Sequence, residues 1–121
     1  MITFVCYPKC STCQKAQKWL EEHRIPYQMR DIKTDNPCTQ ELSSWHQNSG
    51  LPLKKFFNTS GLLYRSMELK EKLPGMTEEE MLRLLSTDGM LVKRPILVGD
   101  GLVLVGFKEK EWKARLCPDE E

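Results

Sequence analysis

The sequence predicts a mixed α/β fold with a β-α-β opening, a β-β-α close and an all-helical stretch between them. Three observations carry that expectation. Short apolar, β-branched runs lie at both ends: Ile2-Thr3-Phe4-Val5-Cys6 at the start, and Pro95-Ile96-Leu97-Val98 with Leu102-Val103-Leu104-Val105 near the finish. Between residues 36 and 89 the apolar positions recur at helical rather than alternating spacing. The length of 121 residues, 40% of them hydrophobic, suits one domain that buries its core without metal or disulfide staples.

Taken in order, Ile2 to Cys6 reads as a strand, and Tyr7 to Lys9 as a loop punctuated by Pro8. Cys10 or Ser11 caps the next element. From Cys13 to His23, Ala16, Trp19 and Leu20 share one face while Gln, Lys and Glu fill the other, an amphipathic helix that ends before Pro26. Tyr27 to Ile32 alternates and reads as a second strand, parallel to the first through a right-handed crossover. Thr39 to Asn48 reads as a helix capped by Thr39. Leu53 to Phe57 reads as a short helix, followed by the turn cluster Asn58-Thr59-Ser60-Gly61. A further short helix is expected over Met67 to Leu73, ending at Pro74-Gly75. Thr77 and the acids Glu78, Glu79 and Glu80 mark a helix start, with negative charge at the positive end of the dipole. Met81, Leu82, Leu84 and Leu85 supply its apolar face, and Asp88-Gly89 stops it. Pro95 opens the third strand, and Gly99-Asp100-Gly101 turns it into the fourth as a hairpin. Lys108 to Leu116 closes the chain as a helix with Trp112 and Leu116 inward. This order is a thioredoxin-like plan: a single domain over residues 1–121 with a helical insertion at about 36–89. Trp19, Trp45 and Trp112 are expected in the core, and His23 and His46 toward solvent.

Eighteen basic and seventeen acidic residues leave a net charge of +1, so no polyanion-binding surface and no direct contact with nucleic acid are expected. No window approaches the ~18 apolar residues of a membrane helix. The start, MITFVCYPKC, lacks the charged and apolar blocks of a secretion signal. A cytoplasmic setting follows, in which thiols stay reduced. Five cysteines, an odd number, also argue against a disulfide framework.

Three of those cysteines lie in Cys6-Tyr7-Pro8-Lys9-Cys10-Ser11-Thr12-Cys13. The spacing of Cys6, Cys10 and Cys13 is that of radical enzymes with an iron–sulfur cluster, but Cys6 ends a buried strand. A zinc site wants a fourth ligand, and Cys38 and Cys117 lie far off in sequence. No metal and no tightly bound cofactor are therefore expected. The redox reading fits better. Cys10-x-x-Cys13 sits where a strand hands over to a helix, and a helix N-terminus favours the thiolate that does the attacking. Cys10 is the more exposed sulfur and the expected nucleophile. Cys13, a turn further on, resolves the mixed disulfide. Cys6 is expected to be a small core residue, and Cys38 and Cys117 to lie near the surface. Arg94-Pro95 is the other informative pair: a cis proline there presents backbone beside the nucleophile, and Arg94 adds a fixed positive charge. Ser11, Thr12, Asn58 and Pro95 are the expected substrate contacts.

The stretch YPKCSTCQKAQKWLEEHRIPYQMRDI, together with KRPILV, resembles the arsenate reductase-like family, which also holds the Spx transcription regulators. The resemblance runs from Ile2 to about Leu116. It implies a thioredoxin-like fold with a helical insertion, the family's catalytic cysteine at Cys10, and the arginine of its Arg-Pro-Ile element at Arg94. Arsenate reductases of the family hold the oxyanion with two further arginines, which by this resemblance fall near Asn58 and Gly106. Neither is basic here, although Lys54, Lys55 and Lys108 lie close by. A guanidinium fork suits a tetrahedral oxyanion better than an ammonium does, so weak arsenate binding is expected. Spx regulators carry a Cys-x-x-Cys switch and bind the α-subunit of RNA polymerase. Gly50 falls at their contact glycine, and Asn58 where they have an arginine. The segment KKFFNTSGLLYRSMELKEKL is most similar to a third group, presumed thiol oxidoreductases related to the arsenate reductases. The expected activity is thiol–disulfide exchange on a disulfide or small oxidised substrate, reset by thioredoxin or a low-molecular-weight thiol. A redox-sensing regulator of RNA polymerase and a genuine arsenate reductase are the alternatives.

Overall fold

The computed structural model describes residues 2–117. A four-stranded sheet runs in the order β2-β1-β3-β4. Strand β1 (Ile2–Cys6) is parallel to β2 (Tyr27–Asp31), and α1 (Ser11–Glu22) connects them. Strand β3 (Ile96–Gly99) lies antiparallel beside β1 and forms a hairpin with β4 (Leu102–Val105).

Alternation along each strand sorts the apolar residues onto two faces. Phe4, Cys6, Leu97 and Leu104 pack with Ala16, Trp19 and Leu20 of α1 and with Trp112 of α6 (Glu109–Leu116). Val5, Ile96, Val103 and Val105 pack on the other face with Leu42 and Trp45 of α2 (Thr39–Ser49) and Leu85 of α5 (Glu78–Leu85). The sheet is thus the middle of three layers, a thioredoxin-like arrangement. All three tryptophans are buried, and the indole N–H of Trp112 donates to the carbonyl of Gly106 at 3.1 Å.

Between β2 and β3 the chain also forms α3 (Leu62–Ser66), α4 (Leu69–Lys72) and three short 3-10 turns. The helix expected over Met67 to Leu73 is present as the shorter α4, and α3 before it was not expected. Helix α3 starts at Leu62, which is 82% exposed, so it presents no periodic apolar face for the sequence to reveal. Helix α4 cannot extend back to Met67 because Glu68 adopts the left-handed conformation at φ 55°. The cap of α2 is Cys38 rather than Thr39: the Glu41 carboxylate accepts from the Cys38 N–H at 3.1 Å. Pro95 precedes β3 instead of opening it. The histidines are half-buried rather than solvent-facing. His23 stacks on Trp19 with ring centroids 4.0 Å apart, and His46 meets Phe56 edge-on.

One close approach fixes the helical layer against the sheet. Gly89 is buried, and a Cβ added there would lie 1.7 Å from the carbonyl oxygen of Ile32. Only glycine lets the chain leaving α5 pass so near the end of β2.

Candidate active site

Strand β1 delivers Cys6 into a tight loop, and α1 takes over at Ser11. The Cys10 N–H donates to the Tyr7 carbonyl at 2.9 Å, and Gln14 Nε2 donates to the Pro8 carbonyl at 2.9 Å. These two bonds tie the loop to the first turn of α1. Cys10 is the N-cap residue, extended at φ −86° and ψ 124°, and its side chain makes no capping bond. Its sulfur therefore stays partly exposed at the positive end of the helix, on an open cavity of about 870 Å³.

Cys13 lies behind Cys10 and is 2% exposed. The Tyr7 N–H donates to its sulfur at 3.4 Å. It packs in one cluster with Cys6 and Cys10, and its thiol interacts with both of theirs. The bond with Cys6, reinforced by burial, pushes the Cys13 thiol well up from its ordinary range, so Cys13 rests as a neutral thiol.

The opposite wall comes from the helical layer. Phe57 and Val92 form an isolated antiparallel bridge. Around it the Asn58 N–H donates to the Leu91 carbonyl at 2.8 Å, and the Lys93 N–H to the Phe56 carbonyl at 2.7 Å. The bridge sets the Asn58 turn beside Lys93 and Arg94. The Arg94–Pro95 peptide is cis, and the Pro95 carbonyl accepts from the Gly106 N–H at 2.7 Å. The Arg94 guanidinium lies over the Tyr7 ring, 5.2 Å from its centroid. Its Nε and Nη1 are buried with no hydrogen-bond partner. Orphaned buried donors are rare and costly, and a charged fork in this state matches a carboxylate or oxyanion.

Cys10, Thr12, Asn58 and Arg94 all line the cavity. Ser11 and Pro95 do not, contrary to expectation. Ser11 is an exposed first residue of α1, and Pro95 is buried with its carbonyl engaged by Gly106. Lys54, Lys55 and Lys108 line the cavity as well, and so does Lys93, which the sequence reading missed. Its position next to Arg94-Pro95 was the available signal. Tyr7 was missed too, and nothing in the sequence pointed to a ring beneath Arg94. Gly106 sits at φ 77° with both backbone groups engaged, a conformation that disfavours any side chain. Among the described residues, no group of three or more His, Cys, Asp or Glu side chains is arranged to hold a metal ion. No helix of the described residues is long and apolar enough to cross a membrane.

The model of the ArsC family matches residues 6–115. The uncharacterized protein YusI of Bacillus subtilis is 52% identical over 112 residues, covering 93% of this chain and 95% of its own length. The crystal structure of a protein described as ArsC family related, from Bacteroides fragilis, superposes with a TM-score of 0.91 at 57% identity, covering 93% of this chain and 94% of that one. The global transcriptional regulator Spx of Enterococcus faecalis is 27% identical, over 98% of this chain and 89% of its own.

Proposed function

The chain belongs to the ArsC family, and from that premise we propose that it is a cytoplasmic thiol–disulfide oxidoreductase with Cys10 as nucleophile and Cys13 as resolving thiol. The observation that supports this best is the meeting of a partly exposed Cys10 and an orphaned Arg94 guanidinium on one cavity. The Cys10 thiolate attacks one sulfur of a disulfide substrate, and the other sulfur leaves as a thiolate. Cys13 then gives up its proton and attacks Cys10, releasing the second half of the substrate and leaving a Cys10–Cys13 disulfide. Thioredoxin or a low-molecular-weight thiol restores the dithiol. Arg94 holds an anionic group of the substrate, with Thr12 and Asn58 at its edges. The chemistry calls for no bound cofactor.

The test is trapping. A Cys13→Ser variant expressed in cells should accumulate mixed disulfides at Cys10 that mass spectrometry identifies. Equal capture by the Cys10→Ser/Cys13→Ser double variant would remove Cys10 from the reaction.

A second reading is a redox-sensing regulator that grips the α-subunit of RNA polymerase. Gly50 favours it: exposed at the end of α2, at φ 71°, with nothing within 4 Å of an added Cβ. A partner can therefore approach the backbone there without meeting a side chain of this residue. Pull-down of the α-subunit that depends on the Cys10–Cys13 redox state, with no disulfide turnover, would establish this reading and displace the enzyme.

A further inference from the structure

The mechanism above uses two of the three clustered cysteines and leaves Cys6 idle. Cys6 is 1% exposed, at the last position of β1. Its backbone is fixed by pairing with β2, and its carbonyl accepts from the Ile32 N–H at 2.8 Å. Across the strand–helix interface it shares one buried cluster with Cys13, whose sulfur lies 3.4 Å from the amide nitrogen of Tyr7, the residue that follows Cys6, and the two thiols interact. Cys13 in turn meets Cys10, whereas Cys6 and Cys10 interact only at longer range, through charge. The Cys13 sulfur is therefore the middle of three, and the Tyr7 N–H on it, at 3.4 Å, holds it there.

That order matters because thiol–disulfide exchange is an attack by one sulfur on a second that expels a third. We propose that Cys6 is a second resolving thiol, and that the disulfide migrates inward from Cys10–Cys13 to Cys6–Cys13. The proposal rests on the oxidoreductase reading, which supplies the first disulfide. In the migration step the Cys6 thiol loses its proton and its sulfur bonds to Cys13 Sγ. The Cys10–Cys13 bond breaks, and Cys10 leaves as a thiolate that takes up a proton. One thiol and one disulfide stand on each side, so the step needs no oxidant or reductant. The protein remains oxidised by two electrons while Cys10 faces the cavity as a thiol again. The oxidising equivalent then lies between two buried sulfurs, where a bulky reductant cannot reach it until Cys10 attacks Cys13 and reverses the step. A strand position that only fills space has no need of a sulfur: Phe4 and Leu97 fill the same face.

The experiment oxidises the full chain with one equivalent of diamide and quenches it in acid. Remaining thiols are alkylated in denaturant, and the digest is mapped by tandem mass spectrometry. Trypsin cuts after Lys9, so a Cys10–Cys13 link stays within one peptide while any link to Cys6 joins two. Both the Cys10–Cys13 and the Cys6–Cys13 links are expected. In the native oxidised protein, iodoacetamide should label Cys10 in the fraction carrying the inner link. In a Cys6→Ala variant that labelling should fall to background. A map with Cys10–Cys13 alone and Cys6 fully alkylated at every time point would overturn the relay and leave the oxidoreductase intact. A Cys6–Cys10 link would overturn the central place of Cys13. No link involving Cys10 at all would bring down the oxidoreductase reading and the relay with it. The wild-type map decides even if Cys6→Ala folds poorly.

Discussion

Replacing Arg94 with methionine should weaken function and strengthen the fold, and the size of each effect can be worked out. Arg94 Nε and Nη1 are buried without partners. Each orphaned donor costs roughly 1–3 kcal/mol, so the pair costs about 2–6 kcal/mol in the substrate-free protein. Against this stands the stacking of the guanidinium 5.2 Å from the Tyr7 centroid, worth about 0.5–2 kcal/mol. Methionine keeps most of the packing volume. The balance favours Arg94→Met by about 0–5 kcal/mol, and each kcal/mol gained should raise Tm by roughly 3–6 °C. Turnover of an anionic disulfide such as oxidised glutathione should fall at the same time. Losing one charge-assisted hydrogen bond of about 1.5–3 kcal/mol lowers kcat/KM by about 10- to 100-fold. The assays are thermal and urea denaturation in anion-free buffer, and coupled turnover with a charged and an uncharged disulfide. The uncharged substrate should lose much less. A variant that is less stable than the wild type and equally active on the charged substrate would refute the reasoning, because Arg94 would then be a structural residue.

Further expectations concern stability and specificity. Gly89→Ala should destabilise the fold by about 3 kcal/mol or more in urea titration, since backbone rather than a side-chain tip blocks the new methyl. Gly75→Ala, with nothing within 4 Å of the added Cβ, should stay within about 1 kcal/mol of the wild type. Glu41 accepts from Arg30 Nη1 and Nη2 at 2.6 and 2.9 Å, which lowers its pKa from an ordinary 4.5 to about 2. That stabilisation is complete above about pH 4.5 and is lost as pH falls toward 2. Glu41→Gln should therefore flatten the acid limb of the stability–pH curve in that window, by about 1–2 kcal/mol given that the carboxylate is 38% exposed. Arsenate turnover should be weak or absent while model-disulfide reduction depends on Cys10. Efficient arsenate reduction would mean that Lys54, Lys55, Lys93 and Lys108 replace the family's extra arginines.

The strands and the long helices were readable because burial imposes a period on them. Phe4, Val5 and Cys6 alternate across the sheet, and Ala16, Trp19 and Leu20 recur on one side of α1. The placement of Cys10 and Cys13 at a helix start was readable because they follow a strand run and precede an amphipathic one. Helices α3 and α4 were not, because their boundaries depend on one left-handed residue, Glu68, and on an exposed Leu62. Tyr7 stayed hidden for another reason, and Lys93 had only its place next to Arg94-Pro95 to mark it. Their relation to the cavity comes from the Phe57–Val92 bridge and from the stacking of Arg94, contacts between residues far apart in sequence. Ser11 and Thr12 show how fine the limit is: they are neighbours in one turn, and only Thr12 reaches the cavity.

The cavity is a seam between two parts anchored on opposite sides of the sheet. The thiols proposed to react are mounted on the α1 side of the sheet, among Phe4, Trp19 and Leu97. The cationic and polar lip, from Lys54 to Gly61 and at Lys93, hangs from the other side, where Phe56, Phe57 and Val92 are anchored. The four-stranded sheet stands between the two anchorages. Selectivity can therefore be rewritten without retuning reactivity: exchanging residues 53–63 for the matching segment of an arsenate reductase should change which anion competes for the cavity while the alkylation rate of Cys10 holds.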